Sequence, residues 1–238
     1  MTSTRVRPHV ARVLERTRAV LLPFDGTVCD LFADVDTAAI AERIRARLSK
    51  RGHRMTLMVA VTADPLGMMA YARSVGPASG AEAEKIVRDA ERAAARTATP
   101  EPGIHEVLRA CQASGRPVAV MGYTCPTAME SHLDAHDLRH LVGPVIGRGQ
   151  RRFSPQRLIR QAVEALGVEP SDCALVSQFP EGMFAAEEAG TQAIGVVSRH
   201  STRKQLAFTS SAVVVSSLPK LADAITAVPP VETSGVSM

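Results

Sequence analysis

The feature that most constrains the fold is a short apolar run that ends in an Asp-Gly-Thr turn. Residues 19–24 read Ala-Val-Leu-Leu-Pro-Phe, and Asp25, Gly26 and Thr27 follow directly. A run of this length is typical of one buried β-strand, and an Asp-Gly pair marks a tight turn at its end. Open α/β sheets bind their ligands at the carboxyl ends of the strands. The sequence therefore predicts a buried first strand whose end carries polar groups at a binding edge.

From Gly103 onward, apolar runs alternate with stretches of helical periodicity. This alternation predicts an α/β fold with a Rossmann-like parallel sheet that helices cover on both faces. The predicted strands are 117–121, 174–176, 192–197 and 212–215, and the predicted helices are 104–114, 126–136, 155–166, 181–189 and 218–227, with a short helix near Lys204.

The chain between the first strand and Gly103 is helical. Apolar residues recur at helical spacing over 38–48, 65–75 and 81–95, and Asp64 precedes the second stretch as a candidate cap. About seventy residues is far longer than an ordinary crossover. We therefore predict an inserted helical domain, and the predicted organisation is a core of 1–30 and 98–227, a helical insertion at 31–97 and a disordered tail at 228–238. The first 17 residues are predicted to form an arm or a short helix.

The composition indicates a globular protein with few aromatic residues. Of 238 residues, 45% are hydrophobic and 22% are charged, which suits one medium α/β domain or a core with a small insertion. The net charge of +4 comes with two arginine clusters, but aromatic residues make up only 3%, so we expect exposed charge rather than nucleic-acid binding. The clusters are Arg5, Arg7, Arg12, Arg16 and Arg18, and Arg148, Arg151, Arg152, Arg157 and Arg160.

The four cysteines predict neither a zinc site nor a disulfide framework. Cys29, Cys111, Cys125 and Cys173 lie far apart, form no C-x-x-C pair and sit in or beside apolar stretches, so buried reduced thiols are expected. The sequence carries no recognisable signal peptide and no run long enough to span a membrane, and a cytoplasmic location is the expectation.

The stretch 19–29 resembles the first motif of the haloacid dehalogenase (HAD) superfamily of phosphotransferases, in which a strand runs into Asp-x-Asp-Gly-Thr. The resemblance implies a HAD-like core of the phosphoglycolate phosphatase-like subgroup, with the helical insertion as its cap. It also implies that Pro23 stands at the position of the nucleophile and that Asp25 is a relic of the general acid/base, beside the retained Gly26 and Thr27. Alternatively, Asp25 is a turn residue that caps its own backbone.

Two further strand ends complete the family's phosphate site. Gly122 stands where the family has a Ser or Thr hydroxyl, and Thr124 either takes over that role or caps the helix that begins near Pro126. The family's lysine corresponds to Arg152, which keeps the positive charge and is the best candidate for binding an anion, although exposure beside Arg148 is a comparable alternative.

The fourth strand end carries the magnesium ligands in the family, in a Gly-Asp-Ser-x-x-Asp turn. The resemblance places Gln178 and Gly182 at the two metal-binding acids, so the expected metal ligands are absent. Mg²⁺ prefers charged oxygen ligands, which neither residue supplies. Glu181 is expected in the first turn of its helix instead.

These positions predict a pseudo-phosphatase that binds a small phosphorylated or anionic ligand, or a protein partner, without a cofactor. The alternative is a weak phosphomonoester hydrolase of the phosphoglycolate phosphatase-like type, which would use Mg²⁺, or a hydrolase that uses Asp25 or Cys29 in an unorthodox way. A reactive Cys29 would require nearby cations to lower its pKa. Binding to nucleic acid is the weakest hypothesis, and the sequence predicts no interaction with membranes.

Overall fold

A computed structural model of the chain describes residues 6–149, 154–207 and 213–230. Within them, six strands form one sheet: β1 (Ala19–Pro23), β2 (Val118–Met121), β3 (Val145–Ile146), β4 (Cys173–Ser177), β5 (Gln192–Val196) and β6 (Val213–Val215). Their spatial order is β3-β2-β1-β4-β5-β6, and each neighbouring pair is parallel. The predicted parallel α/β architecture is confirmed.

Helices connect the strands and cover the sheet. In chain order they are α1 (Pro8–Arg16), α2 (Thr37–Lys50), α3 (Leu57–Ala60), α4 (Pro65–Val75), α5 (Pro77–Ala94), α6 (Ile104–Ala113), α7 (Pro126–Ala135), α8 (Pro155–Leu166), α9 (Pro180–Glu188), α10 (Arg203–Leu206) and α11 (Leu218–Ala227). Among the described helices, none combines the length and the apolar character that crossing a membrane would require.

The two faces of the sheet bury separate apolar clusters. Val20 and Leu22 of β1 face a cluster shared with α1, α6, α7 and α11. Ala19 and Leu21 face the opposite cluster, which α8, α9 and α10 complete. This division follows from the period of two along a strand, which sends successive side chains to opposite faces. Because both faces are buried, the strands are continuously apolar.

Helices α2, α4 and α5 share a third buried apolar cluster, which lies outside the two sheet faces. Asp64 caps α4 as expected, because its carboxylate oxygens accept hydrogen bonds from the N–H groups of Leu66 and Gly67, each at 2.9 Å. Helix α5 begins at Pro77, four residues before the predicted start. Pro77 occupies the first turn directly after Gly76, and its fixed φ favours that position.

Three local predictions differ from the structure or fall outside it. The stretch assigned as a Gly- and Arg-rich link contains β3, whose two residues pair with Val120 and Met121 of β2. Two residues carry no periodicity, so only tertiary pairing defines this strand. The N-terminal residues form helix α1 rather than an arm. Most of the predicted disordered tail, 231–238, lies outside the described residues.

Candidate functional site

The loop after β1 turns at the predicted Asp-Gly pair. The N–H of Phe24 donates to the carbonyl of Met121 at 2.7 Å, which continues the pairing of β1 with β2. Gly26 has a φ of +81°, in the left-handed region, and its N–H donates to the carbonyl of Cys29 at 2.7 Å. The turn therefore leaves Asp25 at the carboxyl edge of the sheet.

Asp25 combines the two roles that the sequence left open. Its Oδ1 accepts a hydrogen bond from the N–H of Leu31 at 2.9 Å, so the carboxylate caps the loop that follows. Although Asp25 keeps accessible surface, the surrounding protein desolvates its carboxyl group and raises its pKa. The Leu31 hydrogen bond opposes this shift, and the negative charge of Asp30 adds to it. A carboxyl group with a raised pKa is suited to proton transfer or to pairing with a cation.

A cavity of about 330 Å³ lies at the carboxyl ends of β1, β2 and β4. Its wall includes five of the sequence-predicted positions: Pro23, Asp25, Gly122, Thr124 and Gly182. Helices α4, α5, α8 and α9 contribute the remaining walls. Parallel strands end at a common edge, which explains why positions up to 159 residues apart in sequence meet here.

Three other predicted positions are buried beside the cavity or lie outside the described residues. Thr27 and Gln178 are buried and are not part of the cavity wall. The Oγ1 of Thr27 and the Oε1 of Gln178 have no hydrogen-bond partner among the described residues. Gly26 is also buried, and Arg152 lies outside the described residues.

Aromatic side chains that sequence reasoning missed form part of the wall. Phe24, Phe32 and Phe179 all line the cavity, and the whole chain has six phenylalanines. A Cβ atom added to Gly26 would lie 2.1 Å from Cε2 of Phe179, so the ring of Phe179 packs directly on the turn. Its other neighbour is His200, at 4.9 Å between ring centroids. The scarcity of aromatic residues in the sequence, with three of them near the motifs, was the available signal.

Ser177 and Gly182 fit together in a way that departs from the family turn. A Cβ atom at position 182 would lie 2.2 Å from the Oγ of Ser177. That Oγ accepts a hydrogen bond from the N–H of Phe179 at 3.0 Å. The family pattern has a glycine at the first position and an aspartate at the second, which is the reverse arrangement of bulk. Glu181 lies in the first turn of α9, as predicted.

The charged side chains that the described residues place on the wall are Asp25, Glu91 and Glu181. Glu91 is paired with Arg148, and both side chains are 1% exposed. The predicted surface exposure of Arg148 is therefore wrong. Arg148 lies buried because carboxylates of α5 compensate its charge, and it also donates to the carbonyl of Tyr123 at 2.6 Å.

Two local roles suggested by the sequence are wrong. Cys125, not Thr124, is the N-cap residue of α7, because the residue before Pro126 takes an extended conformation and the helix begins at the proline. Thr124 is instead buried at the cavity wall. Cys29 lies in the apolar core and is not part of the wall, and burial together with the negative charge of Asp25 raises the pKa of its thiol. All four cysteines are buried and free.

An ionic cluster holds the loop after β5 against the connections between the sheet and the helical insertion. Arg199 donates to Asp30 at 2.7 Å and to Glu101 at 2.9 Å. The N–H of Glu101 in turn donates to the carbonyl of Val28 at 2.8 Å. The chain entering and the chain leaving the insertion are therefore joined to each other and to one core loop.

The residues present do not fit a HAD-type magnesium site. Of the positions that the resemblance assigns to magnesium, Pro23 and Gly182 offer no side-chain oxygen, and Gln178 offers a buried amide. Asp25 is the remaining carboxylate, whereas Mg²⁺ prefers several charged oxygen ligands. Over residues 6–149, 154–207 and 213–230, no three His, Cys, Asp or Glu side chains are grouped so as to hold a metal ion.

Comparison with known proteins identifies the fold. No protein-family model matches the sequence, and no curated protein matches it. Among solved structures, a HAD hydrolase of family IA, variant 3, from Entamoeba histolytica superposes with a TM-score of 0.62 at 16% identity, over 88% of this chain and 99% of that chain. A HAD family hydrolase from Deinococcus radiodurans, solved with bound phosphate and sodium, gives 0.56 at 22% identity, over 91% and 100%.

A predicted phosphoglycolate phosphatase from Haemophilus somnus gives a TM-score of 0.54 at 15% identity, over 76% of this chain and 85% of that chain. Identities in this range establish the fold and nothing finer. The chain has the fold of the HAD-superfamily hydrolases, as the resemblance of its sequence predicts.

Proposed function

We propose that the chain is a pseudo-phosphatase, a HAD-fold protein that binds a ligand in its cavity without transferring a phosphoryl group. The observation that carries this proposal is Pro23, which lines the cavity at the position of the family's nucleophile. Proline has no side-chain oxygen with which to attack phosphorus. Removing the nucleophile of a catalytic unit lowers turnover by about 10⁶.

The other positions support the same proposal. Gly122 offers no hydroxyl to a phosphoryl group. Phe179 packs on Gly26, so this part of the site presents carbon rather than oxygen. The separate changes at the ends of β1, β2 and β4 all remove groups that phosphoryl transfer requires, and together they argue against a variant chemistry based on one exchange.

The occupant of the cavity is a small molecule or a segment of a protein partner. A phosphorylated or other anionic ligand would require a cation at the wall, and the sequence assigns that role to Arg152, outside the described residues. The charged side chains of the described wall are acidic.

A weak phosphomonoester hydrolase is the second candidate, and Asp25 is the observation that favours it. Its carboxyl group reaches the cavity and has a raised pKa, as a general acid requires. Without a neighbouring nucleophile, Asp25 would have to activate water directly.

The test is hydrolysis of p-nitrophenyl phosphate and phosphoglycolate by the purified chain, with and without Mg²⁺. We expect product to form at the uncatalysed rate in both conditions, and Asp25→Asn to change nothing. Magnesium-dependent turnover that disappears in Asp25→Asn would contradict the pseudo-phosphatase proposal and favour the second candidate.

A restored site serves as the positive control. It combines Pro23→Asp with Ser177→Gly, Gln178→Asp, Phe179→Ser and Gly182→Asp. Ser177 and Gly182 are changed together because an aspartate at 182 would collide with the Oγ of Ser177. We expect this variant to gain magnesium-dependent hydrolysis, which would tie the inactivity of the natural chain to these positions.

A further inference from the structure

We propose that the cavity binds a small apolar molecule that carries an ammonium group, and that Asp25 is the carboxylate that pairs with this group. The inference rests on the proposed binding function and assigns the chemical class of its ligand.

The size and the wall of the cavity suit an apolar body. Its volume is about 330 Å³, within the range of small-molecule sites. Leu158 and Ile159 of α8 form one side, Met121 and Leu175 come from the sheet, and Leu66 closes the side of the helical insertion. Apolar walls with a few polar groups are typical of sites that bury a ligand and orient it through one or two contacts.

The polar contact available to the ligand is a carboxylate. The Oδ1 of Asp25 accepts from the N–H of Leu31, whereas its Oδ2 has no hydrogen-bond donor among the described residues. Desolvation makes an unpaired carboxylate unfavourable, and a cation with N–H donors relieves this cost through a charge-assisted hydrogen bond. An ammonium group supplies both the charge and the donors.

The remaining charges favour the same sign of ligand. The two oxygens of Glu91 are already occupied, because Oε1 accepts from Arg148 and Oε2 accepts from Arg148 and, at 3.0 Å, from the N–H of Cys125. Glu181, at the start of α9, adds negative charge without a compensating partner among the described residues. A cation is therefore attracted and a phosphoryl group is repelled.

Aromatic surface strengthens the preference for an organic cation. Phe32 and Phe179 lie on the wall that also carries Asp25. Aromatic rings attract ammonium groups through their negative faces, and this attraction grows in a desolvated site. A ligand with both an apolar body and an ammonium group uses the carboxylate and these rings together.

Isothermal titration calorimetry on the full chain at neutral pH tests the inference with three probes of matched size. They are 2-phenylethylamine, which is an ammonium ion at this pH, the neutral 2-phenylethanol and the anionic phenyl phosphate. We expect the amine to bind at least about tenfold more tightly than either other probe. Asp25→Asn is expected to reduce amine affinity to that of the alcohol, and the exposed Asp34→Asn is the matched control.

A second variant locates the binding and does not depend on the folding of Asp25→Asn. Leu66→Trp adds volume at the cavity wall from a partly exposed position, and we expect it to weaken the amine and the alcohol alike by about tenfold. Unchanged amine binding in Leu66→Trp would place the probe elsewhere and overturn the inference.

Three other results would also overturn it: no amine binding at millimolar concentration, an amine preference that survives Asp25→Asn, or tighter binding of phenyl phosphate that is lost in Arg152→Ala. These results leave the pseudo-phosphatase proposal standing. Magnesium-dependent hydrolysis of phenyl phosphate would instead contradict the pseudo-phosphatase proposal, so the two failures are distinguishable.

Discussion

Pro23 shows how one residue changes the chemistry of a strand end without disturbing the strand. β1 pairs with β4 as far as Leu21 and with β2 as far as Pro23 itself. The N–H that proline lacks therefore lies beyond the pairing with β4, and the ladder to β2 continues through the N–H of Phe24. Proline is tolerated in sheets where its missing donor is not needed. The fold is preserved while the nucleophile position loses its oxygen.

His132 gives a prediction at the scale of a single residue. It is fully buried, with its ring 5.4 Å from that of Phe24 and 4.5 Å from that of His136, measured between centroids. Burial, followed by the neighbouring His136, lowers its pKa from 6.5 to about 4. The unfolded chain therefore binds more protons than the native chain between these values, and stability rises as pH rises. This contribution is fully present above pH 6.5 and is lost as pH falls to about 4.

The difference corresponds to about 3 kcal/mol of unfolding free energy. Chemical denaturation between pH 4 and pH 7 measures it, and His132→Leu is expected to flatten the pH dependence by about this amount because the titrating ring is gone. His9→Gln, at an exposed histidine, is the matched control. An equally steep pH dependence in His132→Leu would assign the effect to other groups.

At the scale of elements, helix α5 is attached to the core through Arg148. Arg148 donates to Glu91 and, at 2.8 Å, to Glu84, both on α5. Arg73 of α4 also donates to Glu84, at 2.5 Å. Burial alone would raise the pKa of Glu84, but the hydrogen bonds and charges of the two arginines outweigh it and lower that pKa. The wall that α5 gives the cavity is thus held by a buried ionic network.

Arg148→Met should destabilise the chain by about 3–5 kcal/mol, because it leaves Glu91 buried with an uncompensated charge. Arg148→Met combined with Glu91→Met should recover part of this loss, since no buried charge remains. Urea denaturation measures both free energies, and Arg88→Met, at an exposed arginine of α5, is the control. A single Arg148→Met that costs less than about 1 kcal/mol would show that the carboxylate is solvated after all.

Periodicity predicted most elements, because it is a local property of the sequence. Helix α4, for example, occupies the predicted 65–75 with Asp64 as its cap. The strand-end positions of the site were also predictable, because the order of strands determines which loops share an edge. The burial of Arg148 was not, since its partner Glu91 is 57 residues away and only tertiary packing brings them together. The same reason applies to Phe179, whose contact with Gly26 crosses from β4 to β1.

At the scale of the whole molecule, Arg116 joins three distant parts of the chain. Its guanidinium group is buried and donates to the carbonyls of Leu14 and Thr17, both at 2.9 Å, and of Val228 at 2.6 Å. Leu14 and Thr17 lie at the end of α1, and Val228 follows α11. Carbonyl groups at the ends of helices carry partial negative charge, so they stabilise a buried cation. One side chain thus connects both terminal helices to the start of β2.

Arg116→Met should lower the unfolding free energy by about 2–4 kcal/mol, because three buried hydrogen bonds are lost while the desolvation cost of the cation is relieved. Arg116→Lys should lose an intermediate amount, since a single ammonium group cannot reproduce the fork that reaches all three carbonyls. Denaturation in urea measures these differences, with Arg109→Met, at an exposed arginine of α6, as the control. Hydrogen exchange gives an independent readout: α1 and α11, more than 200 residues apart in sequence, should lose protection together in Arg116→Met. Loss of protection in one helix alone would mean that Arg116 anchors that helix and does not couple the two ends of the chain.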